Sequence, residues 1–301
     1  MSEPALSVVD LVKRYDQVTA VDHLSFSIER GELFGLLGPN GAGKTSTIRA
    51  LMGIVPADEG TVRILGDLPS NVRGRIGYLP EERGLYAKQR LLEVLVFLAQ
   101  LKGLDVDTAH QNALTWLERV DLHDRAQDKI SELSRGMQQK AQLVATLVHD
   151  PDLVILDEPF QGLDPMNVNL VKEILHELQS RGKTIALSSH QMNLVEELCD
   201  RIVLINHGRA VLYGSVAEIK RRYAERTVRL RTSVGADALA AVLGAENVED
   251  RNGVKIVHLA DREPRDLLRL LLDADIEIQS YEVATAPLQD VFVAAVRSEA
   301  V

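Results

Sequence analysis

Gly38-Pro39-Asn40-Gly41-Ala42-Gly43-Lys44-Thr45 decides the reading of this chain. A glycine, four residues and then Gly-Lys-Thr is the spacing of a phosphate-binding loop. The motif counts only between a strand and a helix, and both are expected here. Leu33-Phe34-Gly35-Leu36-Leu37 is short and apolar enough for a buried strand. Thr45 to Met52 reads as a helix, with Ser46 in its first turn and Gly53 and Pro56 as stop signals. Glycines let the backbone curl so that its N–H groups face phosphate oxygens, and the positive end of the helix dipole favours the same charge. Lys44 then reaches the β and γ phosphates, and the Thr45 hydroxyl holds Mg²⁺.

Outward from the loop, the pattern is that of an α/β chain. Leu6 to Lys13 and Leu24 to Ile28 are strand-like, the second alternating strictly. Thr61 to Leu65 and Ile76 to Leu79 are further short strands. From Leu91 to about His149 apolar residues fall at helical spacing, which marks a helical insert in the α/β core. Leu153 to Leu156 is a continuous apolar run, suited to a parallel strand buried on both faces, with Asp157 and Glu158 at its end. An aspartate there holds Mg²⁺ through its water shell, and a glutamate beside it activates the water that attacks the γ-phosphate. Leu170 to Leu178 is an amphipathic helix. Thr184 to Leu187 is the next strand, closing on Ser188-Ser189-His190, and Asn206 to Arg209 is the turn of a hairpin.

At 301 residues two domains are expected, residues 1–222 and 223–301. The second unit reads strand, helix, strand, strand, helix, strand, with Ile276 to Val283 as its last strand. That order is a small α+β, ferredoxin-like sandwich with an added terminal helix. Hydrophobic residues make up 46% of the chain, enough for a sizeable core. No stretch approaches the roughly 18 apolar residues needed to span a bilayer. Met1-Ser2-Glu3-Pro4 lacks the basic start and apolar run of a signal peptide, so a cytoplasmic protein is expected. Its single cysteine, Cys199, excludes an intramolecular disulfide. With 34 basic against 44 acidic residues the net charge is −10, which weighs against a nucleic-acid partner.

Leu133-Ser134-Arg135-Gly136-Met137-Gln138-Gln139-Lys140 is the second decisive stretch, with Ser134 a natural helix cap. Together with the phosphate loop and the Asp157-Glu158 pair, it resembles the ATP-binding cassette (ABC) proteins over roughly Leu6 to Tyr213. Gly38 to Thr45 is similar to the Walker A loop, Leu153 to Glu158 to Walker B with its catalytic glutamate, and Leu133 to Lys140 to the family signature. Gly162-Leu163-Asp164 resembles the D-loop, His190 the switch histidine that senses the γ-phosphate, and Tyr15 the aromatic that stacks on adenine. The fold implied is a P-loop NTPase cassette with a helical subdomain and an N-terminal antiparallel β region. Two motifs depart from the pattern. Arg135 and Met137 stand where the signature usually has a glycine and a glutamine. Glu81 stands where a metal-touching glutamine is usual.

The resemblance implies ATP and Mg²⁺ as cofactors, with Thr45, Asp157 and Glu81 on the metal. It implies a homodimer or cassette pair, each phosphate loop facing the other copy's Ser134 and Gly136. Ala286-Pro287-Leu288-Gln289-Asp290-Val291-Phe292 and Glu81 to Tyr86 resemble the efflux-type members. Those work with integral membrane permease subunits on separate chains, which places the ATPase on the inner face of the cell membrane. The alternative is a soluble ABC-type ATPase regulating ribosomes or DNA. A single phosphate loop and no long coiled coil set that reading second.

Overall fold

The structure, a computed structural model, describes residues 3–299 other than 83, 224–226, 244–247, 252, 260–261 and 284–285. The chain divides into two compact units, Met1–Val216 with Ala295–Val301, and Ala217–Ala294.

The first unit opens with β1 (Leu6–Tyr15) and β2 (Val18–Ile28), followed by β3 (Leu33–Leu37), α1 (Lys44–Leu51) and β4 (Glu59–Ile64). β1 pairs antiparallel with both β2 and β4, giving a three-stranded sheet in the order β2-β1-β4. Alternation explains its burial. Leu24, Phe26 and Ile28 share the inward face, opposite Leu11, Val8 and Leu6 of β1, and all six are buried.

The second sheet carries the site. It contains β3, β5 (Ile76–Leu79), β6 (Leu153–Asp157), β7 (Thr184–Ser189), β8 (Arg201–Asn206) and β9 (Arg209–Ser215) in the order β5-β6-β7-β3-β8-β9. The first five run parallel and β9 closes the edge antiparallel to β8. Every residue of β3, β6 and β7 is buried, as expected for parallel strands covered on both faces. The pairings Asp157↔Ser188 and Leu37↔Ser189 align the carboxyl ends of β6, β7 and β3. The chain therefore leaves these three neighbouring strands at one edge, through Glu158, His190 and Gly38.

The helical insert consists of α2 (Leu91–Leu101), α3 (Val106–Arg119) and α4 (Arg135–Leu147), which pack against one another. α5 (Pro165–Ser180) and α6 (Met192–Leu198) are the crossovers to β7 and β8, and α7 (Val216–Tyr223) follows β9. Gly35 is needed under α6. A Cβ there would lie 2.7 Å from Val195 and 3.1 Å from Cys199, which is itself buried.

The second unit contains β10 (Thr227–Arg231), α8 (Ala236–Leu243), β11 (Val248–Arg251), β12 (Val254–His258), α9 (Pro264–Asp273) and β13 (Ser280–Val283). α10 (Leu288–Glu299) follows. The antiparallel order β11-β12-β10-β13 is that of a ferredoxin-like sandwich. Val228, Leu230, Leu239, Val257, Leu267 and Leu271 form its core. Its last strand is shorter than expected, because Ile276 is spent on ending α9. Asp275 takes a left-handed conformation at φ 54°. The amides of Asp275 and Ile276 bond back to Leu272 and Leu271 at 3.0 Å each, a Schellman stop. Strand pairing begins only at Ser280.

Candidate functional site

The loop between β3 and α1 curls through three glycines with positive φ, Gly38, Gly41 and Gly43. Two of them also lack room for a side chain. A Cβ on Gly38 would fall 2.3 Å from the Ile205 carbonyl, and one on Gly43 2.2 Å from that of Ala20. Gly43 caps α1 without any side-chain hydrogen bond. The first-turn N–H groups, which a helix leaves without internal partners, belong to Lys44, Thr45 and Ser46. These residues line a cavity of about 390 Å³. Its other walls are Asn40–Gly43, Val18–Ala20, His207–Gly208, Glu81 and Glu158.

Lys44 is buried, with its ammonium donating to the carbonyls of Gly38 at 2.8 Å and Pro39 at 3.2 Å. It also stands 3.4 Å from Glu158 Oε1. Glu158 follows β6 at φ 50°, a conformation uncommon outside glycine, and its side chain is 6% exposed. His190 Nδ1 lies 3.0 Å from Glu158 Oε2. Ser188 ties the acidic pair to the sheet. Its hydroxyl donates to Asp157 Oδ1 and accepts the Glu158 amide N–H at 3.1 Å. Burial, with Asp157 as a lesser cause, pushes the Tyr78 hydroxyl up to about 12, so it stays neutral.

Asp157 Oδ2 is buried without a hydrogen-bond partner; Glu158 Oε1 also lacks one but has the Lys44 ammonium 3.4 Å away. An orphaned carboxylate oxygen such as Asp157 Oδ2 is costly unless something pairs with it, and a hard divalent cation suits it. Among the described residues no group of three or more His, Cys, Asp or Glu side chains forms a metal cage. A cation here would complete its shell from phosphate and water oxygens, the usual habit of Mg²⁺. Glu81 is on the cavity wall. Gln142 of α4 fixes the backbone on either side of it, donating to the carbonyls of Pro80 and Glu82 at 3.4 and 3.1 Å. Arg83 in the same loop lies outside the described residues.

The remaining expected residues stand apart from this cavity. Ser134 Oγ caps α4 by accepting the Met137 amide, and Gly136 follows in the first turn. Asp164 caps α5, taking the Asn167 amide at 3.0 Å, and that bond holds its carboxyl below the usual range. Gly136 and Asn167 are close, since a Cβ on Gly136 would lie 3.7 Å from Asn167 Nδ2. Tyr15 is at the end of β1, partly exposed under the Lys13 ammonium, and Val18, its strand partner, lines the cavity. Ser188, Val18–Ala20 and His207–Gly208 are not expected at the site from sequence. Gly208 carries the one readable signal, a glycine at a two-residue turn.

A parallel sheet that delivers a glycine loop and an acidic pair at adjacent strand ends defines a P-loop nucleotide-binding protein. Comparison with known proteins gives the particular class. Residues 21–161 match the family described as ABC transporter. Residues 214–296 match the C-terminal domain of DrrA1-3-like ATP-binding proteins. The chain is 38% identical over 293 residues to the uncharacterized ABC transporter ATP-binding protein YhaQ of Bacillus subtilis, covering 96% of this chain and 97% of that one. It is 37% identical over 251 residues to the linearmycin resistance ATP-binding protein of the same organism, with 81% of each covered. It is 40% identical over 222 residues to a Nod factor export ATP-binding protein of Ralstonia nicotianae, covering 72% and 69%. A solved ATP-binding subunit of an ABC transporter superposes with a TM-score of 0.69 at 32% identity, covering 73% of this chain and 93% of that one. The chain belongs to the ABC transporter ATP-binding proteins, and it is an ATP-binding, ATP-hydrolysing subunit. Among the described residues no helix is long and apolar enough to cross a membrane.

Proposed function

We propose that this ATPase drives an export-type transporter through nucleotide-dependent closure of a cassette pair. Residues 1–222 act as the motor domain and 223–301 as an accessory domain. Gly38 to Ser46 cradle the triphosphate of ATP, and Tyr15 stacks on its adenine. Lys44 releases the loop carbonyls and neutralises the β and γ phosphates. Mg²⁺, held through Thr45, Asp157 and Glu81, would supply charge neutralisation on the phosphate oxygens. Glu158 takes a proton from water as the water oxygen attacks the γ-phosphorus, and ADP leaves with inorganic phosphate. His190 orients Glu158 and reads the γ-phosphate. The observation that carries this reading is Glu158 held between the Lys44 ammonium and the His190 imidazole, at 3.4 and 3.0 Å.

Ser134, Gly136 and Asp164 serve a second site. Ser134 and Asp164 cap their own helices, Gly136 sits in the first turn after Ser134, and none of the three lines the nucleotide cavity, as expected if they complete the cavity of another copy. One solved relative at 21% identity shares the fold and is described as a dimeric cassette bound to ADP and Pi. Export rests on the linearmycin-resistance and Nod-factor relatives. The membrane passage then belongs to permease subunits on separate chains, with this protein peripheral on their cytoplasmic side and without a nucleic-acid partner. Affinity purification of the tagged chain from detergent-solubilised membranes tests this. An integral membrane protein in stoichiometric amount is the expected result. Stable capture of ribosomes or DNA instead would overturn it.

A further inference from the structure

We propose that His207 is a nucleotide-binding residue that contacts the ribose end of ATP; this rests on ATP occupying the Gly38–Thr45 loop. Asn206 pairs with Arg209 across a two-residue turn, and His207 and Gly208 between them have φ of 47° and 80°. That combination is a type I′ hairpin turn. It is clamped onto the phosphate loop. The Gly208 amide donates to the Ala42 carbonyl at 2.9 Å, and the Gly208 carbonyl accepts the Asp22 amide at 2.9 Å. Arg209 closes the clamp with an ion pair to Asp22 at 2.6 Å.

The turn therefore has a fixed position, and His207 stands on the wall of the nucleotide cavity. The cavity wall carries two kinds of chemistry. Glu158, 3.4 Å from Lys44, and Glu81 are its carboxylates. Gly208 lies against Ala20, where a Cβ would come 3.0 Å from the Ala20 carbonyl oxygen, so His207 shares its stretch of wall with Val18–Ala20. With the terminal phosphate at Lys44 and Glu158, the nucleoside is assigned to the stretch lined by Val18–Ala20 and His207. There an exposed imidazole can donate or accept a hydrogen bond with a ribose hydroxyl or the ester oxygen beside it. Asn fits the same left-handed position and Gly fits it with no strain, so the side chain can be changed without breaking the turn.

The test uses the full chain with His207→Gly, His207→Asn and Lys44→Ala, measuring ATP KM and kcat. Direct binding of ATP and of inorganic tripolyphosphate is measured beside them. Loss of one hydrogen bond predicts that His207→Gly raises the KM for ATP by about threefold to tenfold. The effect falls on KM rather than kcat, tripolyphosphate binds as in the wild type, and His207→Asn lies between. An unchanged KM in His207→Gly, or an equal loss of tripolyphosphate affinity, overturns the proposal. Lys44→Ala reports separately on the underlying reading: if it still binds ATP normally, the loop assignment fails, whatever His207 does.

Discussion

The Lys44 ammonium stands 3.4 Å from Oε1 of Glu158, and both side chains are buried. Two residues far apart in the chain meet because β3 and β6 flank β7 and end at the same edge of the sheet. Both side chains line one small cavity. On the proposed function, nucleotide binding is coupled to chemistry there, because Lys44 would turn from carbonyls and carboxylate toward phosphate as ATP enters.

Lys44→Ala removes the one buried cation on the cavity wall among the described residues. With charge-assisted hydrogen bonds worth about 1.5–3 kcal/mol each, ATP affinity should fall by roughly 10- to 100-fold. Titration calorimetry against ATP measures this directly. Affinity within about twofold of wild type would remove Lys44 from the phosphate site.

Glu158→Gln keeps the shape of the side chain and its reach to His190 but cannot accept a proton. ATP binding should persist while the hydrolysis rate falls by about 10²- to 10⁴-fold, the usual contribution of a positioned general base. Phosphate release under saturating ATP reads it out. A wild-type rate would mean that another group takes the proton.

Glu81 adds negative charge to a wall that already has Glu158. Glu81→Gln should therefore shift the Mg²⁺ concentration needed for half-maximal hydrolysis to higher values, by roughly threefold to tenfold for one lost charged contact. An identical Mg²⁺ dependence would exclude Glu81 from the metal.

His149 supplies a pH signature away from the cavity. It is buried, its Nε2 lies 3.1 Å from the Ile76 carbonyl, and Nδ1 has no partner. Burial, helped by repulsion from Lys102 and Lys183 and opposed by the Ile76 contact and Asp150, lowers it from 6.5 to about 4. The unfolded chain then takes up a proton before the folded one as pH falls. Its stabilising contribution is complete above 6.5 and is lost progressively toward 4. Urea unfolding across that window should show a shallower loss of stability in His149→Gln than in the wild type. Equal slopes would assign the acid sensitivity to other groups.

Much of the site is legible in the sequence because each motif is local. The glycine loop needs only its own spacing, and Leu153–Leu156 announces a buried strand that must deliver Asp157 and Glu158 to an edge. Capping by Ser134 follows from residue type alone. The parts that escape depend on long-range pairing. Nothing near Asn206 says that its turn docks on Ala42, far earlier in the chain, or that the Ser188 hydroxyl bridges Asp157 and the Glu158 amide. β2 extends back to Val18 although Ala20-Val21 and Asp22-His23 break the alternation ahead of Leu24, because pairing with β1, through shifts in register, holds it in the sheet. Ile276 reads wrongly from sequence for a similar reason. An apolar residue after a helix fits a strand equally well until the left-handed Asp275 turns it back onto Leu271.

In the proposed function, Ser134 and Gly136 of a second copy or paired cassette complete the Gly38–Thr45 site. The mass of purified Glu158→Gln in solution, measured by light scattering with and without saturating Mg²⁺ and ATP, tests it most directly. A shift from one chain to two on adding nucleotide, abolished by a second substitution Ser134→Arg, is the predicted result. A single-chain mass at saturating nucleotide, or a dimer indifferent to both ATP and Ser134→Arg, would contradict it.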